Sequence, residues 1–199
     1  NSSTIQKLIK YDNSITSKRT DLTMAFIGCS PITENPLIDT SNGTSFNLAW
    51  DGCSSLTSFP MLDVSNGTNF VCARRECSGL TSFAQLDVHN GTDFQQAWSG
   101  CRNLTSFPAL DLSKGTDFDQ AWVDCSSLTE FPALDLHNGI NFRYAWRNCY
   151  ALTTIGKLDL SSGTNFYSTW YNCPNLTNLG GFGEIKASIE LYNSTKLTV

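Results

Sequence analysis

Charge is scarce in this sequence. Asp, Glu, Lys and Arg make up 16% of its 199 residues, against about 25% in an average domain. It has no run of Lys or Arg and a net charge of −5, which argues against a nucleic-acid backbone or an anionic membrane as partner. No apolar stretch approaches the ~20 residues that span a bilayer. No signal-peptide pattern of basic flank, apolar run and small-residue cleavage site is present. No two cysteines are spaced Cys-x-x-Cys, which excludes a zinc ribbon or a thioredoxin-like pair. A phosphate-binding loop, a dinucleotide fingerprint and a Ser–His–Asp set are also missing, so no cofactor and no enzymatic activity are expected. Ser, Thr and Asn take the place of charge, at 61 positions. With five Trp and twelve Phe the chain is 40% hydrophobic, enough to form a core.

What is present is a repeat. Cys29, Cys53, Cys77, Cys101, Cys125, Cys149 and Cys173 are 24 residues apart. Gly43, Gly67, Gly91, Gly115, Gly139 and Gly163 keep the same step, as do Phe46, Phe70, Phe94, Phe118, Phe142 and Phe166. Trp50, Trp98, Trp122, Trp146 and Trp170 share one slot, broken only by Arg74. Such periodicity marks a repeat architecture, in which a unit too small to bury its own apolar face stacks on its neighbours.

One unit runs from Cys101 to Asp124. Leu110-Asp111-Leu112 alternates with period two and reads as a strand, with Pro108 interrupting its pairing. Ser113-Lys114-Gly115 reads as a turn in which glycine supplies a positive φ. Phe118, Ala121, Trp122 and Cys125 fall at i, i+3, i+4 and i+7, one face of a short helix, with Thr116 or Asp117 as its N-cap. The expectation is an α/β solenoid with one short parallel strand and one short helix per coil.

The pattern A-W-x-x-C-x-x-L-T-x-F-P-x-L-D at Ala97–Asp111 and Ala121–Asp135 resembles BspA-like leucine-rich repeats, which carry A-F-x-x-C-x-x-L in each coil. The L-D-L-S-x-G-T stretch is similar to repeats of bacterial surface and bacteriophage proteins. The resemblance covers roughly Thr20 to Leu197. It implies a right-handed leucine-rich-repeat solenoid on an external surface, used for adhesion or recognition.

Three regions are expected: an N-terminal cap over 1–19 containing Ile5, Leu8 and Ile9, repeats over 20–179, and an irregular last coil over 180–199. Ile189-Glu190-Leu191 follows Leu158-Asp159-Leu160 by 31 residues, with Gly180–Gly183 as the insertion. Leu197 then falls on the Phe166 slot, so the sequence is expected to be part of a longer protein.

The polar slots supply the candidate sites. The ladder cysteines read as reduced core residues, and Cys72, off the ladder, as the most accessible thiol. His89 and His137 read as solvated turn residues. Asp39, Asp63, Asp87, Asp111, Asp135 and Asp159 stack at one strand position. They either cap the following turn or hold a divalent cation between rungs, for which Asp63, Asp87, Asp111, Asp135 and Asp159 are the ligands on offer; no metal is assigned. Thr57, Thr81, Thr105, Thr129, Thr153 and Thr177 form a hydroxyl ladder suited to an exposed β surface. Asn42, Asn66, Asn90, Asn103, Asn175 and Asn193 lie in glycosylation sequons, although equivalent turns keep the glycine and lose the sequon. The exposed helix positions turn aromatic and basic toward the C-terminus, at Arg143, Tyr144, Arg147, Tyr150, Tyr167 and Tyr171, which marks a ligand-binding patch.

The expected function is non-catalytic recognition or adhesion on a bacterial or phage surface, outside the cell, with a glycan or protein receptor as partner. The alternative is a structural subunit of an extracellular fibre or phage appendage, with copies joined end to end.

Overall fold

The computed structural model describes residues 18–30, 33, 38–59, 61–184, 187 and 188. The predicted cap residues Ile5, Leu8 and Ile9, and Leu197, lie outside the described residues.

The chain winds in coils that stack in register. Parallel bridges join Asp21, Ser45, Asn69, Asp93, Asp117, Asn141 and Asn165 in one unbroken column. On the far side of the coil lie five named strands: β1 (Glu130–Phe131), β2 (Leu134–Asp135), β3 (Thr154–Ile155), β4 (Leu158–Asp159) and β5 (Asn178–Leu179). They pair parallel as β1-β3-β5 and β2-β4, Phe131 opposite Ile155 and Asp135 opposite Asp159.

The strand expected over Leu110–Leu112 does not form; pairing near Pro108 shrinks to one bridge, Ser106↔Glu130. Proline explains this. Pro108 and Pro132 have no N–H for the ladder, whereas Gly156 and Gly180 in the same slot donate to Phe131 O and Ile155 O, both at 2.8 Å. A Cβ on Gly156 would lie 2.3 Å from Ala133 N, so the close backbone approach also demands glycine.

No helix occurs among the described residues, and the expected helix over Phe118–Cys125 is a series of overlapping β-turns. Ala121, Val123 and Cys125 donate back three residues, to Phe118 O, Gln120 O and Trp122 O. The alternate amides of Phe118, Gln120, Trp122 and Asp124 instead donate across the stack, to Asn141 O, Arg143 O, Ala145 O and Arg147 O, at 2.8–2.9 Å. A left-handed φ at Gln120 (57°) and Asp124 (60°) swings those groups outward. Each such residue costs about 1 kcal/mol, and the exchange joins every coil to the next by backbone hydrogen bonds. Asp117 is therefore no helix cap; its Oδ1 accepts from Asp119 N at 2.8 Å within a turn.

The inward set is the expected one. Phe118, Ala121, Trp122 and Cys125 are fully buried. Phe46, Phe70, Phe94, Phe118, Phe142 and Phe166 stack ring on ring at 5.3–5.5 Å. Trp98, Trp122, Trp146 and Trp170 form a second column at 4.9–5.8 Å, which Phe182 covers at 5.1 Å from Trp170. Gly43 and its equivalents do not have positive φ. They are glycine because a Cβ would strike the Phe ring three residues on, 2.3 Å from Cζ at Gly115.

Candidate functional site

The polar columns are occupied by the fold itself. Asp111 Oδ1 accepts from Ser113 N at 3.1 Å and Ser113 Oγ at 2.7 Å, and Asp39 and Asp63 repeat this with Ser41 and Ser65. At Asp87 and Asp135 the His89 and His137 rings take the place of serine, Nδ1 lying 2.6 and 2.7 Å from the carboxylate. Asp159 Oδ1 accepts from Ser161 N. Among the described residues no three His, Cys, Asp or Glu side chains come together as a metal cluster.

These bonds act on acidity. Hydrogen bonds from residue i+2, side chain first and then backbone, hold Asp39, Asp87, Asp111 and Asp159 below the usual carboxylate value of 3.8. A depressed folded-state pKa stabilises above the unfolded value and loses that contribution as pH falls through the folded one. The melting temperature should therefore stay level as pH falls from about 7 to about 5, and drop below about 4. A melt series across that range checks it; a loss already complete above about 5 would contradict it.

The Thr hydroxyls point along the stack. Thr105, Thr129 and Thr153 each donate through both N–H and Oγ1 to the carbonyl of the threonine one coil earlier. In the turns, Asn66 and Asn90 donate through Nδ2 to Ser41 O and Ser65 O of the preceding coil, at 2.7 and 2.8 Å. Asn138, which lies in no sequon, does the same to Ser113 O. Asn175 Nδ2 donates to Tyr150 O. Asn42 and Asn103 are exposed, and Asn193 lies outside the described residues.

All eight cysteines are free and buried. From Cys53 to Cys173 each rung's thiol donates to the carbonyl of the tryptophan-slot residue of the coil before, as Cys125 Sγ does to Trp98 O at 3.3 Å. Burial pushes the Cys53, Cys125 and Cys173 thiols up to about 12. Cys72 is no exception: it is 7% exposed, and its Sγ donates to Gln96 Oε1 at 3.6 Å. Its slot has a left-handed φ throughout, 57° at the exposed Met24 and 52° at Cys72, so the burial of Cys72 comes from its short side chain lying against Gln96 of the next coil. Iodoacetamide near neutral pH should leave the native cysteines unmodified and label all of them in denaturant; ready native labelling of Cys72 would contradict this burial.

The aromatic and basic positions do come together, on turns and not on a helix. Arg143 Cζ lies 4.6 Å from the Tyr144 ring centre. Arg147 Cζ lies 4.9 Å from Tyr144 and 5.2 Å from Tyr171. Tyr167 meets Tyr144 edge to face at 5.3 Å. Tyr150 stands to one side, where its hydroxyl accepts from Asn172 Nδ2 at 3.2 Å. The sequence reading missed Asp119, which is 5% exposed and receives Arg143 Nη1 on Oδ2 at 3.4 Å. Opposite charges one coil apart in the same slot were the available signal, and Asp51 with Arg75 repeats it at 2.8 Å.

No protein-family model matches the chain. No curated protein matches it either. Among solved structures it is similar to a leucine-rich repeat protein of T. pallidum, at 18% identity and a TM-score of 0.38, over 80% of this chain and 64% of that one. It is also similar to a leucine-rich repeat protein from Bacteroides ovatus, at 14% identity and a TM-score of 0.27, over 88% of this chain and 68% of that one. The chain thus spans a little under two thirds of the T. pallidum protein.

Proposed function

We propose that the chain is a non-catalytic recognition module, a right-handed leucine-rich-repeat solenoid of BspA-like type displayed outside a bacterial cell or phage particle. It adheres to a receptor through the turn face of the two coils that carry Arg143–Arg147 and Tyr167–Tyr171. The observation that carries this reading is the convergence of Arg143, Tyr144, Arg147, Tyr167 and Tyr171 on one face. Tyr and Arg are enriched among the residues that dominate interface energetics, Tyr because it buries a large rigid area at low entropic cost and Arg because it adds a fixed charge with a planar fork. Everywhere else the slots that repeat most strictly serve the core or the coil-to-coil bonds.

The fibre alternative requires an end coil to stack on another copy. Phe182 already lies over Trp170 at 5.1 Å, which favours a covered column.

Selection of a displayed random-peptide library on the immobilised protein tests the reading. Binders should be lost against the combined variant Arg143→Ala, Tyr144→Ala, Tyr167→Ala, provided its melt is unchanged. Binders that hold equally to that variant would overturn the assignment of this face.

A further inference from the structure

We propose that the partner of this face is an acidic segment of a protein, which presents a carboxylate to Arg147. This rests on the reading of the face as a binding surface and adds the chemistry it selects.

Arg147 differs from the other arginines of the turn surface. Arg75, Arg102 and Arg143 each meet a carboxylate of the preceding coil, Asp51 at 2.8 Å, Glu76 at 3.0 Å and Asp119 at 3.4 Å. In the slot of Arg147 the preceding coil carries Val123, an apolar residue 8% exposed. No carboxylate among the described residues pairs with Arg147. Its Nε is closed off from water and has no acceptor. The guanidinium is braced by the Tyr144 and Tyr171 rings. It is therefore oriented and partly dehydrated before any ligand arrives, which lowers the entropic cost of binding. A planar fork in that state matches the two oxygens of a carboxylate.

The same geometry decides between a sugar and a protein. A sugar bound by these tyrosines would stack on an aromatic face. Two guanidinium groups already lie over the Tyr144 ring, and one over Tyr171. What the face offers is a charged fork with aromatic edges around it, and Tyr167, 52% exposed, stands at its margin. An arginine fork of this kind pairs bidentately with the carboxylate of an Asp or Glu side chain.

The test uses the full chain and three probes: fluorescein-labelled oligoglutamate, oligoglutamine, and an oligogalacturonate of equal length. Oligoglutamate should bind saturably and weaken with added salt, and oligoglutamine should not bind. Arg147→Gln should weaken binding about tenfold or more, and Arg147→Lys nearly as much, because the bidentate fork is lost. Arg75→Gln, on the same surface but paired with Asp51, should change nothing. If the Arg147 variants melt early, the nitrogen-15 spectrum of the wild-type chain decides: the Arg147 Nε–Hε signal should shift on adding oligoglutamate. An unmoved signal, or binding that ignores Arg147, would overturn the proposal. Oligogalacturonate bound as tightly and with the same Arg147 dependence would overturn the choice of a protein. Failure here, with library binders still dependent on the face, would remove the acidic partner and leave the recognition function standing.

Discussion

Replacing Arg74 by tryptophan should stabilise the protein by about 3 kcal/mol, raising the melting temperature by about 10 °C. Arg74 sits in the tryptophan column between Trp50 and Trp98 and is 1% exposed. Its Nε and Nη2 are buried without an acceptor, and no carboxylate among the described residues pairs with it. Burial lowers its pKa to about 10, so it stays charged near neutral pH. Contacts with the rings of Phe59 (4.2 Å), Phe83 (5.5 Å) and Trp50 (5.7 Å) offset part of the desolvation. They do not replace the missing hydrogen bonds, and a buried charge without them is costly. The same coil records the defect. Phe107 and Phe131 stand edge-on to the tryptophan of the following coil, Trp122 and Trp146, whereas Phe83 lies flat against Trp98 at 11°. With Trp at 74, Phe83 should turn edge-on and the indole column should run unbroken from Trp50. A lower melting temperature for Arg74→Trp would mean that the cation–ring contacts outweigh the buried charge.

The converse change is Gly115→Ala, which should destabilise by about 3 kcal/mol, a fall of about 10 °C. One methyl group is a small addition, but its position is unforgiving. The new Cβ would lie 2.3 Å from Phe118 Cζ and 3.1 Å from Leu112 O. The ring cannot withdraw along the stack, because Phe94 and Phe142 lie at 5.5 and 5.4 Å on its two sides. Gly52 makes the contrast. It has a φ of 73°, and a Cβ added there would meet no atom closer than 3.6 Å. Asn148 and Asn172 occupy the same slot at φ 61° and 62°. Gly52→Asn should therefore change stability by less than about 1 kcal/mol, since Asn tolerates the left-handed region. Equal effects of the two substitutions would contradict the steric origin of the Gly115 series.

The coil length, the buried columns and the turn positions could be read from the sequence because each is a residue type fixed at one spacing. The basic and aromatic face could be read too, since Arg143, Tyr144, Tyr167 and Tyr171 have no counterpart in the same slots of earlier coils. The helix was a misreading with a physical cause. Inward residues at i, i+3, i+4 and i+7 satisfy a helix, and they equally satisfy overlapping turns whose odd members fold back three residues. The contrary signal was the slot of Gly52, Gly100, Asp124, Asn148 and Asn172, whose residue types favour left-handed φ and weaken a helix interior. The steric reason for the Gly115 series is not legible in the sequence, because the constant Gly-x-x-Phe spacing shows itself as a contact only in three dimensions. Arg147's missing carboxylate was likewise invisible, since it depends on Val123 being its neighbour across the coils.

The stacking of coils in register is tested most directly by deletion. Removing residues 102–125 takes out one repeat and rejoins every column in phase, because hydrogen-bonded partners such as Thr105 and Thr129 are 24 residues apart. The shortened protein should melt cooperatively, at a temperature modestly below that of the full chain. Removing residues 102–113 takes out half a repeat and sets Trp and Phe against the wrong neighbours, and no cooperative melt should remain. Loss of the fold in the first deletion, or its survival in the second, would contradict a structure held together by columns that repeat with each coil.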